Sequence, residues 1–192
     1  MESEVPGMPN PFEAVWNMLK IGVDSADEPT APLNIIEAGD CWKYMTMVEN
    51  FLRYEETGMN TSTDDEIREM LNDVIKVCES QAERLSKFMK QEGIPLPDVT
   101  SAKPVSNPNE IPLGVKLTDD EIANGIAFKM VLCAQHCAKG QADAIRYDIG
   151  MLWLEFFSEW VTFGATLKAL MRKRGWLKVP PYYYTPGSPQ EK

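Results

Sequence analysis

The residues best suited to chemistry are few. The 192-residue chain has one histidine, His136, flanked by Cys133 and Cys137. Spacings of three and four place these on one side of a helix turn. Two thiols and an imidazole are soft or borderline donors that suit zinc or copper(I). The same pattern is met by small core cysteines beside a half-exposed helical histidine, because Cys133 and Cys137 continue the apolar stripe of Ile126 and Met130. A second candidate set is carboxylic. Glu37, Glu49, Glu83, Glu121 and Glu159 could supply an all-carboxylate iron or manganese site. Glu37 is foremost, because it lies on an apolar stripe where a carboxylate needs a partner. Its alternative role is an acid at a helix start. Together the metal candidates are Glu37, Glu83, His136 and Glu159.

Bundles that hold two metal ions use Glu-x-x-His pairs on two helices. No such pair exists in this chain: the residue three before His136 is Cys133, and the residues three after Glu83 and Glu159 are Ser86 and Thr162. No phosphate loop, nucleophile elbow, dinucleotide fingerprint or Cys-x-x-Cys pair is present either. Arg146 and Asp148 are two apart and do not face each other on a helix, so structural pairing is expected of each. Glu155 and Glu159 read as a solvated helix edge. No cofactor is expected; an iron, manganese, zinc or copper ion is the alternative.

The elements that carry these residues are long helices. Ile35, Ala38, Trp42, Met45, Val48 and Leu52 recur at three and four residues, predicting a helix over 33–58 that stops at Gly58. A second is predicted over 63–93, opened by a Thr63–Glu66 capping box. Pro95, Pro97, Pro104, Pro108 and Pro112 make residues 94–117 a connection. The third helix opens at a Thr118–Glu121 box and ends near Gly140; the fourth, from 141 to 174, carries Ile145, Ile149, Leu152 and Phe156 and stops at Gly175. One long crossover between the second and third helices is the ferritin-like connection. The expected architecture is therefore all-α: a ferritin-like four-helix bundle over 33–181. An N-terminal arm and linker (1–32) should bring a short helix to dock on the bundle through Phe12, Val15, Trp16 and Leu19. Residues 182–192 are expected to be a disordered tail.

Charge narrows the partners. Twenty-nine acids against nineteen bases leave a formal charge of -10, which disfavours nucleic acid and anionic membranes. The one compact basic cluster (Lys168, Arg172, Lys173, Arg174, Lys178) falls where cations complement a helix C-terminus. No apolar run reaches the roughly 18 residues that span a bilayer. The first residues lack a signal-peptide pattern, and the four cysteines lack zinc-ribbon spacing, so reduced thiols in a cytoplasm are expected. Eleven methionines and five tryptophans exceed what a small core needs. Trp16, Trp153, Trp160 and Trp176, with the Tyr182–Tyr184 tail, could anchor a protein partner or a second copy in a dimer.

Particular motifs point to a family. Glu37-Ala38-Gly39-Asp40-Cys41-Trp42, Glu92-Gly93-Ile94-Pro95-Leu96-Pro97, Leu117 to Asn124, Arg146 with Asp148, and Gly175 to Pro181 occur in order. In these the chain resembles the ferritin-like four-helix-bundle domain of unknown function of spore-forming Firmicutes, whose members are often labelled as candidate spore coat proteins. The resemblance implies the fold and a spore association and carries no catalytic residues. The expected function is accordingly a non-enzymatic structural or interaction protein, cytoplasmic and then assembled into a spore coat. The alternatives are a metal oxidase or storage bundle, using the carboxylates or Cys133, His136 and Cys137, and a carrier with an apolar pocket between the helices.

Overall fold

The computed structural model describes residues 31–183, together with Glu13 and Asn17. Four long helices form: α1 (Ile35–Thr61), α2 (Asp65–Gln91), α3 (Asp119–Asp143) and α4 (Tyr147–Arg174), with a 3-10 turn at Pro108–Glu110. No strand occurs among the described residues.

The chain rises through α1 and descends through α2. The crossover then climbs back along α1. Arg53 donates to the Thr100 carbonyl (3.2 Å), Glu56 accepts from the Lys103 amide (2.7 Å), and Asn60 bonds both the Pro104 carbonyl and the Ser106 amide (2.9 Å each). Thus α3 starts beside the top of α1, where Ser62 donates to Asp119 at 2.6 Å. α3 descends and α4 rises again. Each helix pairs with two antiparallel neighbours: α1 with α2 and α3, α4 with α3 and α2. The all-α bundle with its one crossover is as the sequence predicts.

The helix ends differ in instructive ways. Gly58 does not stop α1, which continues to Thr61. Gly58 instead sits against α2, where an added Cβ would lie 3.0 Å from Leu71. The cap of α2 is Asp64, whose carboxylate accepts from the Ile67 amide at 3.1 Å, in place of the expected Thr63 box. Gly140 also lies inside a helix, with a Cβ position 2.9 Å from Trp153. α3 therefore reaches Asp143, and α4 starts at Tyr147 rather than 141. The Thr118–Glu121 box forms as expected, and Asn34 with Glu37 makes a second one. Gly93 and Gly175, both at positive φ (73° and 72°), terminate α2 and α4.

All four cysteines are buried and free. Trp153 and Trp160 are core residues, each 1 % exposed, not surface anchors. Conversely Ile35, Trp42 and Ile145, placed on core stripes by their spacing, face solvent. The docking of the arm expected through Phe12, Val15, Trp16 and Leu19 lies outside the described residues, as does the tail beyond Tyr183. Tyr182 and Tyr183 are exposed.

Candidate functional site

The centre of the bundle holds a polar network contributed by three helices. Tyr44 of α1, fully buried, donates its hydroxyl to Gln81 Oε1 of α2 at 2.5 Å and accepts from Trp160 Nε1 of α4 at 2.6 Å. Gln81 Nε2 donates to Glu159 Oε2 at 2.7 Å. Arg84 Nη2 closes the line from the surface, 2.7 Å from each Glu159 oxygen. Around the tyrosine ring pack His136, Trp153 and Phe156, with centroids 5.2, 5.2 and 5.7 Å away.

Cys133 and Cys137, on α3, are fully buried in the same core. Burial pushes the Cys137 thiol up to about 12 and Cys133 higher still. Both therefore stay protonated at neutral pH and make weak nucleophiles. His136 is shifted below its ordinary value, chiefly by burial. Its Nε2 lies 3.1 Å from the Asp40 carbonyl. A carbonyl oxygen only accepts, so Nε2 carries the proton.

The four proposed metal ligands do not converge. Glu37 lies at the bundle's lower end, 4 % exposed, accepting from the amides of Asn34 (2.9 Å), Ile145 (2.8 Å) and Arg146 (2.9 Å). Burial works against its ionisation, but the amides and Arg146 outweigh it and hold the carboxyl below the usual glutamate range. Glu83 is exposed. Glu159 is committed to Arg84 and Gln81. His136 faces the Asp40 carbonyl. Among the described residues no three His, Cys, Asp or Glu side chains are placed to hold a metal ion. Glu37 fulfils its alternative role as a helix-start acid and also ties down the α3–α4 turn.

Two side chains of the interior, Gln81 and Glu55, escaped the spacing argument, and a third element makes more contacts than the structural pairing expected of it. Gln81 sits in register with Val74, Cys78 and Leu85, and a polar residue on so regular a stripe was the available signal. Glu55 stands likewise in register after Val48 and Leu52 and is 1 % exposed. Its Oε1 lies 3.6 Å from Lys129 Nζ, while Oε2 has no partner among the described residues. Lys129 stands over the Tyr54 ring at 3.4 Å. Burial raises the Glu55 carboxyl to about 7 and lowers the Lys129 amine to about 8. The third element is Arg146. It holds Glu92 by two bonds of 2.6 and 2.9 Å, Asp148 by two more, and the Ala31 carbonyl at 3.1 Å. Arg146 and Asp148 thus have structural roles, and they do meet, because Arg146 precedes the helix instead of lying within it.

The chain is similar to other proteins. The pattern of the family described as "Protein of unknown function (DUF3231)" matches residues 22–188. The chain belongs to the DUF3231 family. A DUF3231 relative by sequence is the uncharacterized protein YvdQ of Bacillus subtilis strain 168, 25% identical over 163 residues, which cover 85% of this chain and 96% of YvdQ. A solved structure, that of a candidate spore coat protein from Bacillus halodurans C-125, is similar with a TM-score of 0.78 and 22% identity, over 81% of this chain and 98% of that one. At that identity the likeness speaks for the DUF3231 chain's fold alone. No helix among the described residues is long and apolar enough to cross a membrane.

Proposed function

We propose that this DUF3231 protein is a non-enzymatic structural or interaction protein of the spore coat. The observation that carries the reading is how the interior polar groups are used. Glu159 is held by Arg84 and Gln81, Tyr44 by Gln81 and Trp160, and Glu37 by three amides. Their hydrogen-bonding capacity goes into joining helices, and the thiols are too basic to attack a substrate at neutral pH. Outside, large apolar side chains such as Phe128, Val131 and Val161 are exposed on α3 and α4 and suit contact with other proteins. The coat location is supported by the name of the similar structure from Bacillus halodurans.

Two measurements test this. Immunoblots of coat extracts and of decoated spores should find the protein in the extract; a signal confined to the mother-cell or core fraction overturns the location. Metal analysis of protein purified without chelator should show well under one equivalent of iron, manganese, zinc or copper, with an unchanged melting temperature after chelation. Stoichiometric metal would restore the oxidase or storage reading.

A further inference from the structure

The outer wall made by α3 and α4 carries no charge along most of its length. Between Ile122 and Ala142 the only charged side chains are Lys129 and Lys139. Both turn toward α1, to Glu55 and Asp40, as does His136. Between Ile149 and Leu167 the only charged side chains are Glu155 and Glu159, and both turn toward α2, to Arg84. The opposite flanks of the two helices share the uncharged wall. On α3 that flank repeats Ala127, Val131, Ala134 and Ala138 at three and four residues. On α4 it carries Leu154, Val161 and Ala165. Val131 and Val161 are 42% and 51% exposed.

The two rows are held in register. Met130 lies against Gly164 and Trp153 against Gly140, which sets Val131 nearly level with Val161. Charge returns at the top. Asp120, on the same flank as Ala127, ends the α3 row, and Arg172, exposed, ends the α4 row. The neighbouring cations Lys173, Arg174 and Lys178 are engaged in ion pairs within the chain.

We infer that a second copy of this chain covers the wall, about a two-fold axis parallel to the helices, so that α3 of each copy lies against α4 of the other; this rests on reading Val131 and Val161 as protein-contact residues. Two chains of formal charge -10 repel, and the uncharged wall lets them meet without opposing like charges. The α3 row is small and the α4 row larger. A two-fold axis in this direction matches each row with the other twice, as a self-complementary contact requires. It also brings Arg172 of each copy to the level of the partner's Asp120, leaving charge at the rim and apolar surface at the centre. Area suffices. α3 has 25 residues, so at about 1.5 Å per residue and about 10 Å per helix width the two-helix wall covers roughly 740 Å², against roughly 800 Å² per partner in a stable dimer.

Sedimentation equilibrium of the full chain should return twice the 21.7 kDa chain mass. Val131→Arg and Val161→Glu should each be monomeric. Asn72→Arg, at an exposed position of α2 on the opposite corner of the bundle, should stay dimeric. An equimolar mixture of the Val131→Arg and Val161→Glu chains should regain the dimer, because the new cation of one chain then faces the new acid of the other. A monomeric parent, a dimer that survives Val161→Glu, or a mixture that stays monomeric would each overturn the inference. Should either charged variant lose helicity, Val131→Cys and Val161→Cys chains replace them, since all four native thiols are buried. Mild oxidation of that mixture should link the two chains by a disulfide, and its absence would equally refute the contact. A monomeric parent would leave the coat reading standing, because the immunoblots of coat extracts do not depend on self-association.

Discussion

Glu37 shows how one carboxylate can substitute for a longer turn. It sits in the first turn of α1 and collects amides from its own cap and from the α3–α4 connection. Charged hydrogen bonds contribute about 1.5–3 kcal/mol each when a partner is removed, so Glu37→Ala should lose about 3 kcal/mol in urea unfolding. Because its folded carboxyl titrates below the ordinary value of 4.5, the stabilisation is present above that pH and disappears as pH falls through the folded value. Tyr44→Phe should lose about 2–4 kcal/mol, since Gln81 Oε1 and Trp160 Nε1 would stay buried without partners. Glu55 has the opposite sign to Glu37. Its carboxyl, raised to about 7, makes the folded state bind the proton more tightly, so stability falls as pH rises from about 4.5 to 7. Lys129, lowered from 10.5 to about 8, makes stability rise again between those values. Melting temperature against pH should therefore dip between about 7 and 8. Glu55→Gln should flatten the acid limb and Lys129→Met the alkaline one; an unchanged profile in both would show that the pair does not titrate there.

At the scale of elements, the number and order of helices were legible because their stripes are long and the prolines cluster in one segment. Helix ends were less so, and glycine explains why. Gly58 and Gly140 look like terminators in sequence but serve close approach between helices. Only the neighbouring helix distinguishes the two uses, and a linear sequence does not display it. The distinction is measurable. Gly140→Ala would push a methyl onto Trp153, 1 % exposed and hemmed in by Tyr44, His136 and Phe156, and should cost about 1–3 kcal/mol. Gly164→Ala meets mainly the thioether of Met130, a side chain with three rotatable bonds. It should cost less, and thermal melts of the two variants would rank them. Ile145 misled for a related reason. It keeps the period of α4 but falls in the turn before it, where its amide serves Glu37 and its side chain meets water.

For the molecule as a whole, the crossover is what turns two helical hairpins into one bundle, and Asn60 is its main side-chain tie. Its amide bonds the chain on both sides, at Pro104 and Ser106. Asn60→Ala should raise proteolysis and hydrogen exchange over residues 100–110 while the helices stay protected. The candidate site was less legible than the fold. Spacing located His136 and the cysteines but could not show that Tyr44 and Gln81, from other helices, would engage their surroundings. Such a network is a property of the assembled cross-section. Arg146 carries this logic into time. Its partners Glu92 and Ala31 lie 54 and 115 residues away along the chain. Bonds of that separation carry a large loop-closure penalty, which places them after an early nucleus of local contacts. The guanidinium should engage only after both hairpins have met, so Arg146→Met is expected to accelerate unfolding several-fold and leave the refolding rate nearly constant in stopped-flow experiments. The knot at the lower end would then act as a kinetic lock, governing how long the folded bundle survives more than how fast it is made.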